Sequence, residues 1–309
     1  MSPAPSSLSA EAAVRAATQG VEADLSIELP GRDAVRARVY GQRAKADVAP
    51  LVLHFHGGTF TCGGLDNGRN VARLLSGAGA VVVSLAYPLV PFPEPIEVGY
   101  AALEWLYKQR TKLGGKGTQV YLAGEEAGGN LAAAVALIAR DRAHPPIAGQ
   151  ILLSPMLDPC AGTASLRKAT NDAPECRWAS GWEKYLSCPS NATHPYAVPS
   201  GSLRLAALAP ALVLVGADDA MHDEAMAFAN RLRGAGIDVT SSVLPSASNW
   251  PKALYDTENT ACVACEATVQ RHFREFFSAT SPQAASSTTA SAAAKPSAAA
   301  SRTAPNHPS

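Results

Sequence analysis

Gly124-Glu125-Glu126-Ala127-Gly128-Gly129-Asn130 is the stretch on which the reading of this sequence turns. It follows an apolar run, Val120-Tyr121-Leu122-Ala123, and precedes an alanine-rich helical pattern starting near Asn130. A strand, a glycine-bracketed turn and a helix in that order make an elbow that pushes one side chain out of a strained turn, above a sheet. A serine hydroxyl normally stands there as nucleophile. Here the position holds Glu126.

Working outward, apolar runs alternate with helical patterns. Residues 24–29 and 34–40 read as a hairpin around Pro30-Gly31-Arg32-Asp33. Six further runs, 51–56, 80–85, 119–123, 148–153, 211–216 and 239–244, are short, many of them β-branched, with turn residues at their ends. Helical periodicity fills the intervals at 68–75, 97–108, 131–142, 224–233 and 262–277, and Asp223-Glu224 places carboxylates where a helix dipole favours them. Continuous apolar strands alternating with helices predict an α/β fold, a mostly parallel eight-stranded sheet with helices on both faces.

Residues 159–208 break the alternation with Pro, Cys, Trp and polar residues and no clear strand. An insertion there lies at the carboxyl ends of the strands, where open α/β sheets bind ligands. Trp178, Trp182 and Tyr185 are spaced for one helical face, read first as packing of a cap. The expected organisation is an N-terminal cap segment at 1–20, core at 21–158, cap insertion at 159–208, core again at 209–278 and a tail at 279–309. That tail is almost wholly Ala, Ser, Thr and Pro beyond residue 281, too poor in large apolar groups to offset its ordering entropy, and is expected to be disordered.

Composition narrows the function. With 26 basic and 26 acidic residues the formal net charge is zero, which gives no reason to expect nucleic acid or an anionic membrane surface as partner. Residues 1–24 carry Glu11 and Glu22 and no signal-like apolar run, and no stretch approaches a membrane span. Cysteines 62, 160, 176, 188, 262 and 265 are dispersed, so reduced thiols and a cytoplasmic location are expected. Cys262-Val-Ala-Cys265 has metal spacing but no second ligand pair, so neither metal nor cofactor is expected.

A second motif supports the elbow. Leu51-Val52-Leu53-His54-Phe55-His56-Gly57-Gly58-Thr59-Phe60 is a strand running into a glycine pair that can aim backbone N–H groups into a site. With Gly63-Gly64-Leu65-Asp66, Tyr87-Pro88-Leu89, Pro91-Phe92-Pro93, Ser154-Pro155-Met156-Leu157-Asp158 and residues 216–224, Gly-Ala-Asp-Asp-Ala-Met-His-Asp-Glu, these elements stand in family order. The chain resembles the hormone-sensitive-lipase-like branch of the α/β-hydrolases, the acetyl-esterase and arylesterase relatives, over roughly residues 51–276.

The resemblance implies an α/β-hydrolase fold with a helical cap and a short-chain or aromatic ester as substrate. It puts Glu126 on the nucleophile, Asp219 on the acid, and Gly57, Gly58 and Ala127 on the oxyanion hole. The histidine-bearing stretch is matched by Leu244-Pro245-Ser246-Ala247-Ser248-Asn249-Trp250, which puts Asn249 on the base. Thr59 replaces the third loop glycine, and the Ala-Pro-Glu-His piece after Tyr87 is missing. Serine attack needs a base and asparagine has none to offer near neutral pH. His56 reads as part of the glycine loop; His222 and His194 are the remaining histidines near the site.

Three readings follow. The first is an inactive pseudo-hydrolase binding a small ligand or partner, with the Glu126 carboxylate itself accepting the N–H bonds of Gly57, Gly58 and Ala127. The second is a hydrolase whose chemistry uses Glu126 and Asp219. The third is a structural or interaction module, with homodimerisation through a sheet edge or helix.

Overall fold

The computed structural model describes residues 22–44, 47–159, 162–170, 177–246, 250 and 263–282. The expected cap segment at 1–20, Asn249 and all but the first four residues of the expected tail lie outside these. Strands β1 (Ala23–Ile27) and β2 (Val35–Tyr40) pair antiparallel as the opening hairpin. The others are β3 (Leu51–Phe55), β4 (Val81–Leu85), β5 (Val120–Glu125), β6 (Gly149–Leu153), β7 (Ala211–Gly216) and β8 (Val239–Leu244). One eight-stranded sheet results, in the order β1-β2-β4-β3-β5-β6-β7-β8, parallel from β4 to β8.

Central strands β3 to β7 are buried along their whole length, as continuous apolar runs require. Their alternating side chains feed two cores. Leu51, Leu53 and Phe55 pack with α2 (Glu94–Gly114), α3 (Ala127–Asp141) and α6 (His222–Gly234). Val52, Tyr121 and Ala123 face the opposite side, with α1 (Arg69–Gly77) and α7 (Val263–Ala279).

Two helices begin earlier than the sequence predicts. Helix α2 starts at Glu94, with Pro95 in the first turn, where its missing N–H is not needed. Helix α3 starts at Ala127 rather than near Asn130, so Gly128 and Gly129 lie inside its first turn. Those glycines read from sequence as part of the turn, but Gly128 answers to packing. A Cβ there would lie 2.0 Å from the Phe55 carbonyl oxygen, so helix and strand can approach only without one.

The segment expected to form a cap carries α4 (Ala164–Thr170), α5 (Arg177–Leu186) and two 3-10 turns, Pro189–Thr193 and Pro199–Gly201. Trp182 and Tyr185 are buried and Trp178 half-buried, so α5 presses one aromatic face downward. The Tyr185 ring stacks on Phe60 with centroids 4.0 Å apart, and Trp182 lies 5.2 Å from the same ring. One cysteine departs from the reduced state expected. Cys265 is disulfide-bonded, whereas Cys62 and Cys188 are free; linear spacing carries no information about which thiols meet. Among the described residues no helix is long and apolar enough to cross a membrane.

Candidate functional site

Glu126 sits between the end of β5 and the start of α3 with φ 47° and ψ −116°, a conformation that costs a non-glycine residue about 1–3 kcal/mol. The surroundings enforce it: Glu126 N–H donates to the Leu153 carbonyl at 3.1 Å and its own carbonyl accepts from Met156 at 3.0 Å. The side chain is 2% exposed. One carboxylate oxygen accepts the Gly58 N–H at 3.2 Å, and the other accepts Arg177 Nη2 at 2.6 Å. Gly58 can be nothing else. Its φ is 119°, and a Cβ would stand 2.1 Å from the Cys62 carbonyl oxygen.

The Gly57 N–H, expected above the elbow, turns beneath it and donates to Glu125 Oε1 at 2.9 Å. The other Glu125 oxygen lies 2.7 Å from His54 Nε2, and His54 Nδ1 lies 2.9 Å from Ser84 Oγ. Strand register explains the meeting: His54 and Ser84 are partners across β3 and β4, and Glu125 shares the sheet face of Tyr121 and Ala123. All three side chains are 0% exposed. The Ser84 hydroxyl therefore reaches no substrate, and the chain of bonds ties the glycine loop to the elbow from below. His56 is held nearby, its Nδ1–H donating to the Gly57 carbonyl at 2.7 Å and its ring stacked 4.3 Å from Tyr87. Burial pushes its imidazole pKa down, which keeps it neutral. Burial also drives the Tyr87 phenol well above its usual range, with the charges of Glu125 and Glu126 adding to that, and its hydroxyl donates to the His56 carbonyl at 2.8 Å.

On the far side of the elbow, Asp219 is buried in the loop after β7. It accepts the Ser154 hydroxyl and the Met221 N–H at 2.9 Å. Ser154 in turn accepts the Trp250 indole N–H at 2.8 Å and is 0% exposed. Neither Ser154 nor Trp250 was singled out by sequence for this role. Ser154 lies one residue beyond β6, and Trp250 adjoins the residue expected to replace histidine. Arg177 was also missed. Its partner lies 51 residues away, beyond α3 and β6, and nothing local signals the pairing.

Glu224, in the first turn of α6, receives the Leu157 N–H at 3.0 Å but is deeply buried beside Asp158 and Asp219. Desolvation, with those neighbouring charges, pushes its carboxyl up to about 8 against an ordinary 4.5. A carboxyl raised on folding contributes fully below its unfolded value, and that stability is lost as pH rises through 8. We expect wild-type protein to lose on the order of 2 kcal/mol between about pH 5 and about pH 7 through this group. Glu224→Gln should flatten that slope in urea unfolding at the two pH values; an unchanged slope would place the titration elsewhere.

The structure thus brings Glu126 and Gly58 together and puts Asp219 on Ser154. The Ala127 N–H begins α3 beside them. The imidazole of His222 pairs with Asp223 at 2.9 Å, and His194 packs between Phe92 and Tyr196. Among the described residues no group of three or more His, Cys, Asp or Glu side chains is arranged to hold a metal ion.

An elbow at the end of a central strand, a glycine loop facing it and an acid-bearing loop two strands on define an α/β-hydrolase architecture. The chain belongs to that family: residues 52–248 match the family model described as alpha/beta hydrolase fold, in the hormone-sensitive-lipase-like branch. It is 32% identical over 247 residues to the carboxylesterase NlhH of Mycobacterium tuberculosis, covering 76% of this chain and 75% of that protein. It is 27% identical over 239 residues to the ethyl acetate hydrolase of Pseudomonas putida, covering 73% and 74%. Among solved structures, the thermophilic carboxylesterase EstE1 from a metagenomic library superposes with a TM-score of 0.74 at 28% identity, over 87% of this chain and 94% of that one.

Proposed function

We propose that this chain is a carboxylesterase-like α/β-hydrolase that no longer turns over esters and instead binds a small organic ligand beneath its α5 helix. The observation that carries the reading is the Glu126 carboxylate standing at the nucleophile position with its oxygens on the Gly58 N–H and on Arg177. The names of its relatives describe ester hydrolysis. Attack on an ester, however, needs a nucleophile that is free to lose a proton to a base, and an oxyanion hole that is vacant when charge develops. Glu126 occupies one of the expected N–H donors with a charge of the same sign as the oxyanion. An arginine partner further lowers its nucleophilicity.

The position expected to hold the base is Asn249. Asp219, on the acid position, is committed to Ser154 and Met221, and Glu126 to Gly58 and Arg177, which argues against joint chemistry by the two carboxylates. The two buried serines with acidic or imidazole partners, Ser154 and Ser84, are sealed from solvent and do not substitute for a nucleophile. Hydrolysis of p-nitrophenyl acetate tests the reading: wild-type protein is expected to be no faster than Glu126→Ala.

A further inference from the structure

The ion pair at the elbow has an unusual asymmetry. Glu126 is 2% exposed, yet the Arg177 side chain that answers it is 53% exposed and belongs to the first residue of α5. A buried carboxylate is strongly unfavourable without a compensating cation. That cation is supplied here by a side chain that reaches from solvent to the carboxylate at 2.6 Å.

The surroundings suit an organic cation better than an ester. The Arg177 guanidinium lies 4.6 Å above the Trp178 ring, a cation–π geometry. Further along α5, Trp182 and Tyr185 pack against Phe60 as a buried aromatic cluster. The Tyr185 hydroxyl and the Trp178 indole N–H are both buried without a hydrogen-bond partner. The buried Glu126 carboxylate repels an anionic ligand, and the Gly58 donor an ester carbonyl would use is already taken.

We propose that Glu126 is the anionic floor of a subsite for a small organic cation, a guanidinium or primary ammonium group, which Arg177 fills as a tethered competitor. This rests on the binding reading above and names the ligand class for that same site. Because the arginine is attached to the protein, it competes at a high effective concentration, and a free ligand sees only the fraction of molecules in which it has swung out.

The experiment is calorimetry and thermal unfolding of the full chain with methylguanidinium chloride. Methylurea serves as neutral isostere and sodium chloride as the ionic-strength control. Arg177→Ala is expected to bind methylguanidinium at least ~10-fold more tightly than wild type, since the tethered competitor is gone. Methylurea should bind neither protein, and adding Glu126→Gln to Arg177→Ala should abolish the response. Equal responses to methylguanidinium and methylurea, or a response that survives Glu126→Gln, would overturn the assignment. Arg177→Gln, of similar length and without charge, supplies the same comparison should the alanine variant not fold. Ester turnover measured on the same preparations separates the two ideas. Turnover in wild type removes the binding reading, whereas no turnover and no charge-selective binding removes only the cation subsite.

Discussion

Glu125→Ala is expected to lower the unfolding free energy by about 3–5 kcal/mol, the cost of orphaning two buried polar groups and opening a cavity. The carboxylate joins two groups directly and a third through one of them: it accepts the Gly57 N–H at 2.9 Å and meets His54 Nε2 at 2.7 Å, and His54 reaches Ser84 at 2.9 Å. Truncation leaves the buried Gly57 amide and the imidazole nitrogen of His54, which is 0% exposed, unanswered. Each orphaned buried polar group costs about 1–3 kcal/mol, and the cavity adds to that. Glu125→Gln keeps an acceptor for Gly57 and is expected to lose less. Urea unfolding with an unchanged slope and a lowered midpoint would report the loss. A midpoint within error of wild type would mean that the glycine loop is held by something other than this chain of bonds.

Gly128→Ala is expected to be comparably severe, at about 3 kcal/mol, the upper end of overpacking penalties. The added Cβ would lie 2.0 Å from the Phe55 carbonyl oxygen and 2.5 Å from that of His56. Both are backbone atoms in a fully buried strand and the turn that follows it, so no rotamer change relieves the overlap. Gly64→Ala is the control. Its Cβ meets nothing within 4 Å, and the substitution is expected to change stability by no more than about 0.5 kcal/mol. Equal behaviour of the two variants would mean that α3 does not press on β3 as tightly as the geometry requires.

The strands were legible because every central strand is buried on both faces, so its apolar run is unbroken and its ends are marked by turn residues. The start of α3 was less so. Glycine signals both flexibility and close approach, and only the distance from Gly128 to the Phe55 carbonyl oxygen distinguishes them. The elbow and the acid loop were read from short motifs with fixed geometry, which explains why Glu126 and Asp219 could be placed from sequence. His54, Ser84 and Glu125 carried a usable signal: polar residues at the ends of three strands that period-two alternation puts on one face. It was overlooked because a polar residue at a strand end also reads as the start of a loop. Gly57 was assigned upward for want of that partner. Arg177 had no local signal at all, since its contact depends on how a segment without periodicity folds back over the sheet.

The central claim is that a carboxylate at the elbow, paired with Gly58 and Arg177, has replaced ester hydrolysis. Its most direct test is the steady-state rate of p-nitrophenyl acetate and butyrate hydrolysis by wild type and Glu126→Ala, prepared identically and measured above the spontaneous rate. The account predicts that both proteins remain at the same background. Saturable turnover by wild type that disappears in Glu126→Ala would contradict it and make Glu126 a working catalytic group.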